Sequence, residues 1–298
     1  MSDTFTPPAI AVDPAYFPLT KRFRFGWIVE TVFVVAAAIA HDLLRNSVMG
    51  SAKDALRNAK HLTTFERWLG IYHEQAVQEF FIKDVGTVAI GAWNFFFETA
   101  HFLVPVFVAV YLYRKFPGRY VRMRNTFLVM LFVTAPIVWG LFPITPPKFM
   151  PERYGFVDTE AVYWNIVPQD PIEYGPDGEP TAETIALEGN LYGGIPSHHL
   201  SWALWCSLAL WPVVRRRWLR FLLPLYPFLT FCSVTVTGNH RFVDLAGSLI
   251  EVAIAYLAAV GIERGLARRR ERQLSSGTGS DTPSDDSFDA PDDKELVT

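Results

Sequence analysis

The sequence predicts an all-α integral membrane protein, a bundle of six transmembrane helices with one further amphipathic helix at the membrane interface. Two features of the composition favour this class. Half of the 298 residues are hydrophobic, and the mean hydropathy of +0.18 is high for a soluble domain. A third feature is that basic residues are concentrated in alternate connections between apolar runs, a pattern typical of membrane proteins.

Each predicted span is an apolar run, because crossing the hydrocarbon of a bilayer takes roughly 20 mostly apolar residues. The third and fourth runs are short. A soluble helical bundle with a large core is the alternative, and the lengths of the other runs argue against it. The six runs are Phe25–Leu44, Val85–Tyr113, Thr126–Phe142, Leu200–Val214, Leu219–Val236 and Phe242–Ile262.

The charges between the runs predict the orientation. Lys and Arg without any acid separate the second run from the third and the fourth from the fifth, and basic clusters also flank the first and last runs. The positive-inside rule makes these segments cytoplasmic, with both termini inside a plasma or inner cell membrane. On the other side, residues 143–196 carry Lys148 and Arg153 against nine acids. The net charge of −3 averages these two faces and gives no reason to expect a nucleic acid partner.

The segment 45–83 is the exception, because it is rich in Lys and Arg yet falls on the outer side. Its apolar residues recur at helical spacing with charges between them, which predicts an amphipathic helix lying in the interface. A solvated helical hairpin is the alternative. The recurring positions are Leu62, Phe65, Trp68, Leu69 and Tyr72.

The chain is divided by composition into three parts. Residues 1–24 form a cytoplasmic segment, and residues 25–265 form the membrane domain. Residues 266–298 form a basic, then acidic and Ser/Asp/Pro-rich tail that is predicted to be disordered. The first span resembles a signal peptide with a cleavage site at Ala38–Ala40, but Glu30 within it favours a retained anchor.

Three histidines stand at the outer ends of predicted spans. His198 and His199 lie in "GGIPSHHLSW", where the chain enters the fourth span, and His240 lies in "TGNHRFVDLAG" between the fifth and sixth spans. Ser197 is a candidate helix N-cap. A helix that begins there directs free N–H groups and the positive end of its dipole at any nearby anion, with His199 in its first turn.

His240 and Asp244 are four residues apart, so they are expected to share a helix face. A carboxylate that accepts one imidazole N–H fixes the tautomer and leaves the other nitrogen basic. This is the arrangement that a nucleophile needs, and His199 could act as an acid toward the leaving group.

These two motifs resemble those of the type 2 phosphatidic acid phosphatase superfamily, in particular the branch that includes inositol phosphorylceramide synthases. The matching patterns are P-S-x-H-x-x-W and H-x-x-x-D, and "FPITPPKFM" resembles the proline-rich segment P-x-x-P-P-[KR] of that branch. The resemblance covers the chain from about His101 to Gly247.

The resemblance implies a membrane enzyme that acts on a lipid phosphate or diphosphate without a metal or other cofactor. By the resemblance, His240 is the nucleophile that forms a phosphohistidine, Asp244 is its partner, and His199 is the acid that later activates the acceptor. Ser197 and the N–H groups after it are expected to hold phosphate oxygens, and Lys148 to neutralise phosphate charge.

The sequence departs from the superfamily pattern at the position six residues before the nucleophile, where Val234 replaces an Arg. Arg153 and Arg241 are candidates for the missing cation. His198 stands where relatives have Gly or Leu, and it is expected either to contact phosphate or to lie at the headgroup level. Asn239 is a further candidate for substrate binding.

A polar stripe on the second span, formed by Asn94, Glu98 and His101, could line the substrate cavity or make buried contacts between helices. Glu251 in the sixth span is similar. The acidic segment 150–190, with Trp164 and Tyr174, is expected to cover the site and select the headgroup, leaving Lys148 to meet the phosphate.

Three further questions stay open at the level of sequence. Water as acceptor would make the protein a phosphatase, whereas an inositol, sugar or lipid hydroxyl would make it a phosphotransferase. His198, His199, His240 and Asp244 could instead bind a metal, although adjacent histidines point in different directions on a helix. A lipid transporter or a non-catalytic scaffold is the third possibility. The sequence identifies neither the lipid nor the oligomeric state.

Overall fold

A computed structural model describes residues 26–163 and 190–277. In these two ranges the chain is helical, with one isolated β-bridge between Ile144 and Gly193, so the all-α prediction is confirmed. The α-helices are α1 Gly26–Ser47, α2 Ala52–Leu69, α3 Glu74–Phe80, α4 Thr87–Lys115, α5 Pro117–Val129, α6 Ala135–Leu141, α7 Thr159–Tyr163, α8 His198–Leu210, α9 Arg217–Arg220, α10 Leu225–Val236 and α11 Val243–Gly277.

Five helical stretches in the described ranges are long and apolar enough to cross a membrane. Two of them join shorter helices: a π-helical turn continues α5 into α6, and α9 leads into α10. The five stretches are Gly26–Ser47, Thr87–Lys115, Pro117–Leu141, Arg217–Val236 and Val243–Gln273. They correspond to five of the six predicted spans, which indicates a multi-pass membrane protein.

The remaining predicted span, Leu200–Val214, corresponds to α8, which has only 13 residues. A helix of that length is about 20 Å long, shorter than the roughly 30 Å of hydrocarbon in a bilayer. The helix ends at Leu210, and a turn and then the basic run beginning at Arg215 follow it. The count of six spans therefore stays a prediction.

The core lies where α8 packs against α4, α5 and α10. Trp205 of α8 is buried there, and its indole Nε1–H donates to the backbone carbonyl of Met123 over 2.8 Å. Val108 and Leu112 of α4 belong to the same cluster. The opposite faces of the long helices leave apolar side chains exposed, among them Phe107, as expected for helices that meet lipid.

Buried polar groups join the helices at two further places. Glu251 of α11 accepts hydrogen bonds from Ser201 of α8 and, at 2.9 Å, from Thr134. Glu30 of α1 accepts from Tyr120 and Arg124, each at 2.7 Å. Glu251 therefore makes buried contacts between helices, which is one of the two alternatives that the sequence left open for it.

A hairpin of two helices, α2 and α3, follows the first span. Helix α2 begins at a Ser51 N-cap and ends at Gly70, whose φ of 71° is in the left-handed region. The helix buries Asn58, Thr63 and Glu66 but exposes Trp68. Of the predicted apolar stripe, Phe65, Trp68 and Leu69 are exposed, whereas Leu62 and Tyr72 are half-buried. The location of this helix in a membrane interface stays a prediction.

The last helix is longer than the sequence predicted. Helix α11 extends past Ile262 to Gly277, so the first part of the predicted tail, residues 266–277, is helical. Its Ala, Leu, Arg and Glu residues are strong helix formers. The predicted segment 1–24, the lid residues Trp164 and Tyr174, and the acidic tail from residue 278 lie outside the described residues.

Candidate active site

His240 and Asp244 are in direct contact at the start of α11. Nδ1 of His240 lies 2.9 Å from Oδ2 of Asp244 and 3.1 Å from the carbonyl oxygen of Gly194. Both partners are acceptors, so Nδ1 carries the hydrogen and Nε2 has a lone pair. The sequence predicted that His240 and Asp244 would share a helix face. Because α11 begins only at Val243, His240 lies before the helix, and the contact is made across the helix N-terminus.

The turn that presents His240 depends on Gly238, whose φ is 72°. A Cβ on this residue would lie 2.8 Å from Nε2 of Gln78 and 3.3 Å from Cβ of Lys148. The turn is closed by Val234, whose carbonyl accepts the backbone N–H groups of residues 239 and 240. Val234 thus has a structural role at the position where an Arg would stand in the superfamily pattern.

His199 reaches the same place from α8. Its ring centroid lies 5.7 Å from that of His240, and its ring stacks on Phe97 at 4.2 Å. Nδ1 of His199 is buried and has no hydrogen-bond partner among the described residues. Two imidazoles, one from α8 and one from the turn before α11, therefore converge, and one nitrogen of each has no hydrogen bond to the described protein groups.

Ser197 is the N-cap of α8, as predicted. Its Oγ accepts the backbone N–H of Leu200 over 3.4 Å, and the residue is completely buried. Its carbonyl also accepts from Ser248 of α11 over 3.1 Å, which ties the beginning of α8 to the helix that carries Asp244. The first turn of α8 is therefore fixed relative to the His240–Asp244 pair.

The polar stripe of α4 makes contacts with both the site and the acidic segment. His101 lies 4.3 Å from His199 between ring centroids, and its Nδ1 donates to the carbonyl of Phe97 over 2.7 Å. Asn94 is fully buried and donates to the carbonyl of Thr159 over 2.9 Å. His101 therefore borders the site, whereas Asn94 anchors α7.

Lys148 meets the acidic segment directly. Its ammonium lies 2.5 Å from Oε2 of Glu160 and 3.9 Å from Oδ1 of Asp158. The other oxygen of Glu160 accepts from Asn239 over 2.8 Å. Glu160 thus supplies the counter-charge that a buried ammonium needs. The contact of Lys148 with phosphate stays a prediction.

Three further candidates make their contacts elsewhere. His198 packs against His41 at 5.1 Å and Trp139 at 4.5 Å between ring centroids, because adjacent helical residues point in different directions. Arg153 is exposed and lies over the ring of Tyr154. Arg241 is buried, and its guanidinium contacts Thr63 and Glu66 of α2.

The described residues contain no group of three or more His, Cys, Asp or Glu side chains that could hold a metal ion. The four residues of the alternative metal site do not converge, because His198 faces Trp139 while His199 faces His240. The structure thus lends no support to a metal site formed by these residues.

Sequence reasoning missed the contribution of the α2–α3 hairpin. Gln78 donates to the carbonyls of Val157, at 2.9 Å, and Val236, at 3.1 Å, so it links the acidic segment to the turn before His240. Glu66 and Glu74 accept backbone N–H groups at the start of α11. The available signal was a row of polar residues opposite the aromatic stripe of α2, which a solvated face explains equally well.

The sequence model of one protein family, described as the PAP2 superfamily, matches residues 60–258. The matched range contains the second half of α2 and all candidate site residues from Lys148 to Asp244. No curated protein and no solved structure matches the chain.

Proposed function

We propose that this chain, which belongs to the PAP2 superfamily, is a membrane-embedded enzyme that cleaves a lipid phosphate or diphosphate through a phosphohistidine at His240. Members of the superfamily are phosphatases and phosphotransferases, and membership suggests such activity in a membrane protein. The proposal goes beyond superfamily membership in three respects. These are the lipid substrate, the covalent intermediate and the position of the active site on the extracytoplasmic face.

The observation that carries the proposal is the hydrogen bonding of His240. With Nδ1–H donated to Asp244 and to the carbonyl of Gly194, Nε2 keeps the lone pair that attacks phosphorus. The bond from phosphorus to the leaving oxygen breaks as the N–P bond forms. The positive charge on the imidazole is then stabilised by the buried carboxylate of Asp244.

His199 is placed to handle the protons. At 5.7 Å between ring centroids, it lies across a gap from His240 that a phosphoryl group would occupy. It donates a proton to the departing oxygen in the first step and accepts one from the attacking water or alcohol in the second. The second step breaks the N–P bond and regenerates both histidines.

Phosphate oxygens are expected to bind at the N-terminus of α8. The backbone N–H groups of its first turn and the dipole of the helix favour an anion there. Lys148 would add a positive charge, with its ammonium donating to phosphate beside Glu160 or in place of it. Asn239 donates to the other oxygen of Glu160, a hydrogen bond that phosphate binding at Lys148 does not break.

The sidedness rests on the charge pattern and on the hairpin. The acid-free basic connections lie at the opposite ends of the spans from the histidine motifs, and the positive-inside rule places them in the cytoplasm. The outward-facing Phe65 and Trp68 of α2 suit an aromatic-rich face at a lipid headgroup layer. Together these features support a site that opens at the outer surface.

A phosphotransferase is the second candidate, in which an inositol-, sugar- or polyol-type hydroxyl replaces water. It is favoured by the order and spacing of the motifs around Lys148, His199 and His240, which resemble the inositol phosphorylceramide synthase branch. The site chemistry is the same for both acceptors, because His199 can take a proton from either.

The test is to incubate the purified full chain in detergent with radiolabelled lipid phosphates, with and without candidate alcohol acceptors. Free labelled phosphate would support the phosphatase, and a new labelled lipid the transferase. An acid-labile, alkali-stable label on the wild-type chain, absent from His240→Ala, would support the intermediate. His61→Ala, which changes an exposed histidine of α2, is the matched control.

If wild type and His240→Ala behave identically with every lipid tried, the enzymatic proposal is wrong. A transporter or scaffold would then be the better interpretation, because neither function needs a nucleophile at position 240.

A further inference from the structure

The first residues of α11 have an unusual set of acceptors. Three consecutive backbone N–H groups at its N-terminus each donate to a carboxylate from a different part of the chain. These hydrogen bonds run from Arg241 to Asp244 at 2.9 Å, from Phe242 to Glu74 at 3.0 Å, and from Val243 to Glu66 at 3.2 Å. Only Asp244 belongs to α11 itself, so the helix that carries the candidate nucleophile's partner begins on carboxylates supplied by the α2–α3 hairpin.

The hairpin carboxylates are as buried as any group in the described part of the protein. Glu66 and Glu74 have no exposed surface, and Arg241 has 1%. The Arg241 Nη1 donates to Oγ1 of Thr63 at 2.9 Å and to Oε2 of Glu66 at 3.4 Å. The guanidinium thus pairs with Glu66, while Glu74 binds the neighbouring backbone, and all three groups are buried. Burying these charges costs free energy that a simple helix cap does not require.

We propose that Glu66 and Glu74 are positioning residues for the reaction, holding the first turn of α11 so that Asp244 stays aligned with Nδ1 of His240. This inference rests on the proposed function, since it assigns the hairpin a part in the chemistry at His240. His240 precedes the two capped residues, and Asp244 follows them. A change in the capping therefore alters the distance between the two groups directly.

The size of the expected effect follows from the demands of catalysis. A misplacement of about 1 Å in a catalytic group can cost on the order of 100-fold in rate. Loss of a cap at Phe242 or Val243 would permit such a shift. Substrate binding should change little, because the phosphate is expected to bind on α8 and at Lys148, which these carboxylates do not contact among the described hydrogen bonds.

Glu66 and Glu74 are close enough for each to affect the protonation of the other. Burial, and then the charge of Glu74, raise the pKa of Glu66 to about 8 against the opposing effect of Arg241. Oε2 of Glu74 is buried and accepts from no described donor, so a proton held between the two carboxyl groups would satisfy it. The pair then carries one negative charge, which balances Arg241.

The neighbouring titratable groups are few. Tyr72 and Arg67 face each other beside the cluster, with the guanidinium 4.7 Å from the ring, and His73 packs against Phe242. None of them accepts the backbone hydrogen bonds of the first turn of α11. Above about pH 8 the carboxyl group of Glu66 ionises beside the charge of Glu74, and the first turn of α11 should loosen.

The experiment compares three variants in detergent-solubilised full-length protein, using a short-chain phosphatidic acid as the probe. Glu74→Ala removes an acceptor, whereas Glu74→Gln and Glu66→Gln keep an acceptor oxygen, and Glu66→Gln mimics the protonated acid. Glu79→Gln, which changes a partly exposed carboxylate of the same α3, is the control. Both kcat and KM are measured across pH, together with the deuterium exchange of the amides in residues 239–246.

We expect Glu74→Ala to lower kcat about 10- to 100-fold with KM within about threefold, and to speed exchange at residues 242 and 243. Glu74→Gln should retain most of the activity. Glu66→Gln should remove the fall in kcat above about pH 8. If Glu74→Ala keeps the wild-type kcat and exchange, or if it changes KM alone, the positioning role is wrong.

The exchange measurement separates this inference from the proposed function. If the wild type does not hydrolyse the probe, the exchange data still decide whether the hairpin carboxylates hold the start of α11. If Glu74→Ala does not yield folded protein, Glu66→Gln decides instead. In that variant, a rise in exchange at residues 242 and 243 above about pH 8 that equals the rise in the wild type would overturn the proposal.

Discussion

Oδ2 of Asp244 lies 2.9 Å from Nδ1 of His240 and also 2.9 Å from the backbone nitrogen of Arg241. One carboxylate oxygen therefore fixes both the imidazole and the first turn of the helix that follows. Oδ1 of Asp244 is buried and has no partner among the described residues. The negative charge is thus available to stabilise the imidazolium once Nε2 has reacted.

We predict that Asp244→Asn lowers kcat by about 10³-fold without a large change in KM. The amide keeps the shape but loses the charge, and its NH2 group can hold the imidazole in the wrong tautomer, as happens in the corresponding variant of serine proteases. Steady-state hydrolysis of the best lipid phosphate measures this effect. Asp42→Asn, at an exposed position of α1, is the control. A loss of less than about threefold would remove Asp244 from the mechanism.

We predict that His199→Ala impairs hydrolysis of a lipid phosphate far more than formation of phosphohistidine from an activated aryl phosphate. An activated leaving group does not need an acid, whereas the second step still needs a base. The variant should therefore accumulate labelled enzyme, which quenching and gel analysis would detect. His198→Leu, on the adjacent residue that faces Trp139, is the control. Equal losses with both substrates would contradict the acid–base role.

We predict that Glu66 makes the stability of the protein depend on pH. Its pKa is raised from 4.5 to about 8 in the folded protein, mainly by burial, so the folded state binds the proton more tightly than the unfolded state. The stabilisation is complete below about pH 4.5 and is lost as the pH rises to about 8. The melting temperature in detergent should fall by several degrees from about pH 6 to about pH 9. The fall should be clearly smaller in Glu66→Gln, and an equal fall would show that other groups cause it.

We predict that Gly238→Ala destabilises the protein by about 1–3 kcal/mol and lowers kcat. The φ of 72° is costly for alanine, and its Cβ would lie 2.8 Å from Nε2 of Gln78. Thermal unfolding and the hydrolysis assay measure the two effects. Gly91→Ala, in α4 with no atom within 4 Å of the added Cβ, should be neutral or stabilising. A stable and active Gly238→Ala would show that the turn tolerates another conformation.

The sequence predicted the five long helical stretches because each contains an apolar run long enough to cross a membrane. It also predicted the N-cap at Ser197, which has a short local signature that the structure confirms. The exact extent of α8 was not predictable to the same degree. Its apolar run continues to Val214, and only the folded chain shows that the helix stops at Leu210. The count of five or six spans depends on this one helix.

The parts of the site that were missed depend on contacts between residues far apart in the sequence. Nothing near Glu66 or Glu74 in the sequence indicates which backbone their carboxylates bind. Glu66 binds the backbone 177 residues later, and Glu74 binds it 168 residues later. Lys148 belongs to a motif that the sequence shows. Its pairing with Glu160 does not follow from that motif, because it depends on how Asn94 anchors α7. Local patterns thus indicated the candidate reactive groups, whereas the residues that support them could be found only from the fold.

The pairing of Lys148 with Glu160 has a consequence for selectivity. A phosphate that meets Lys148 as proposed competes with the carboxylate of Glu160 for one ammonium, so its affinity depends on both interactions. A dianionic monoester gains more from that contact than a singly charged diester does. Such competition would favour binding of a lipid with a terminal phosphate over binding of the abundant diester lipids of the membrane.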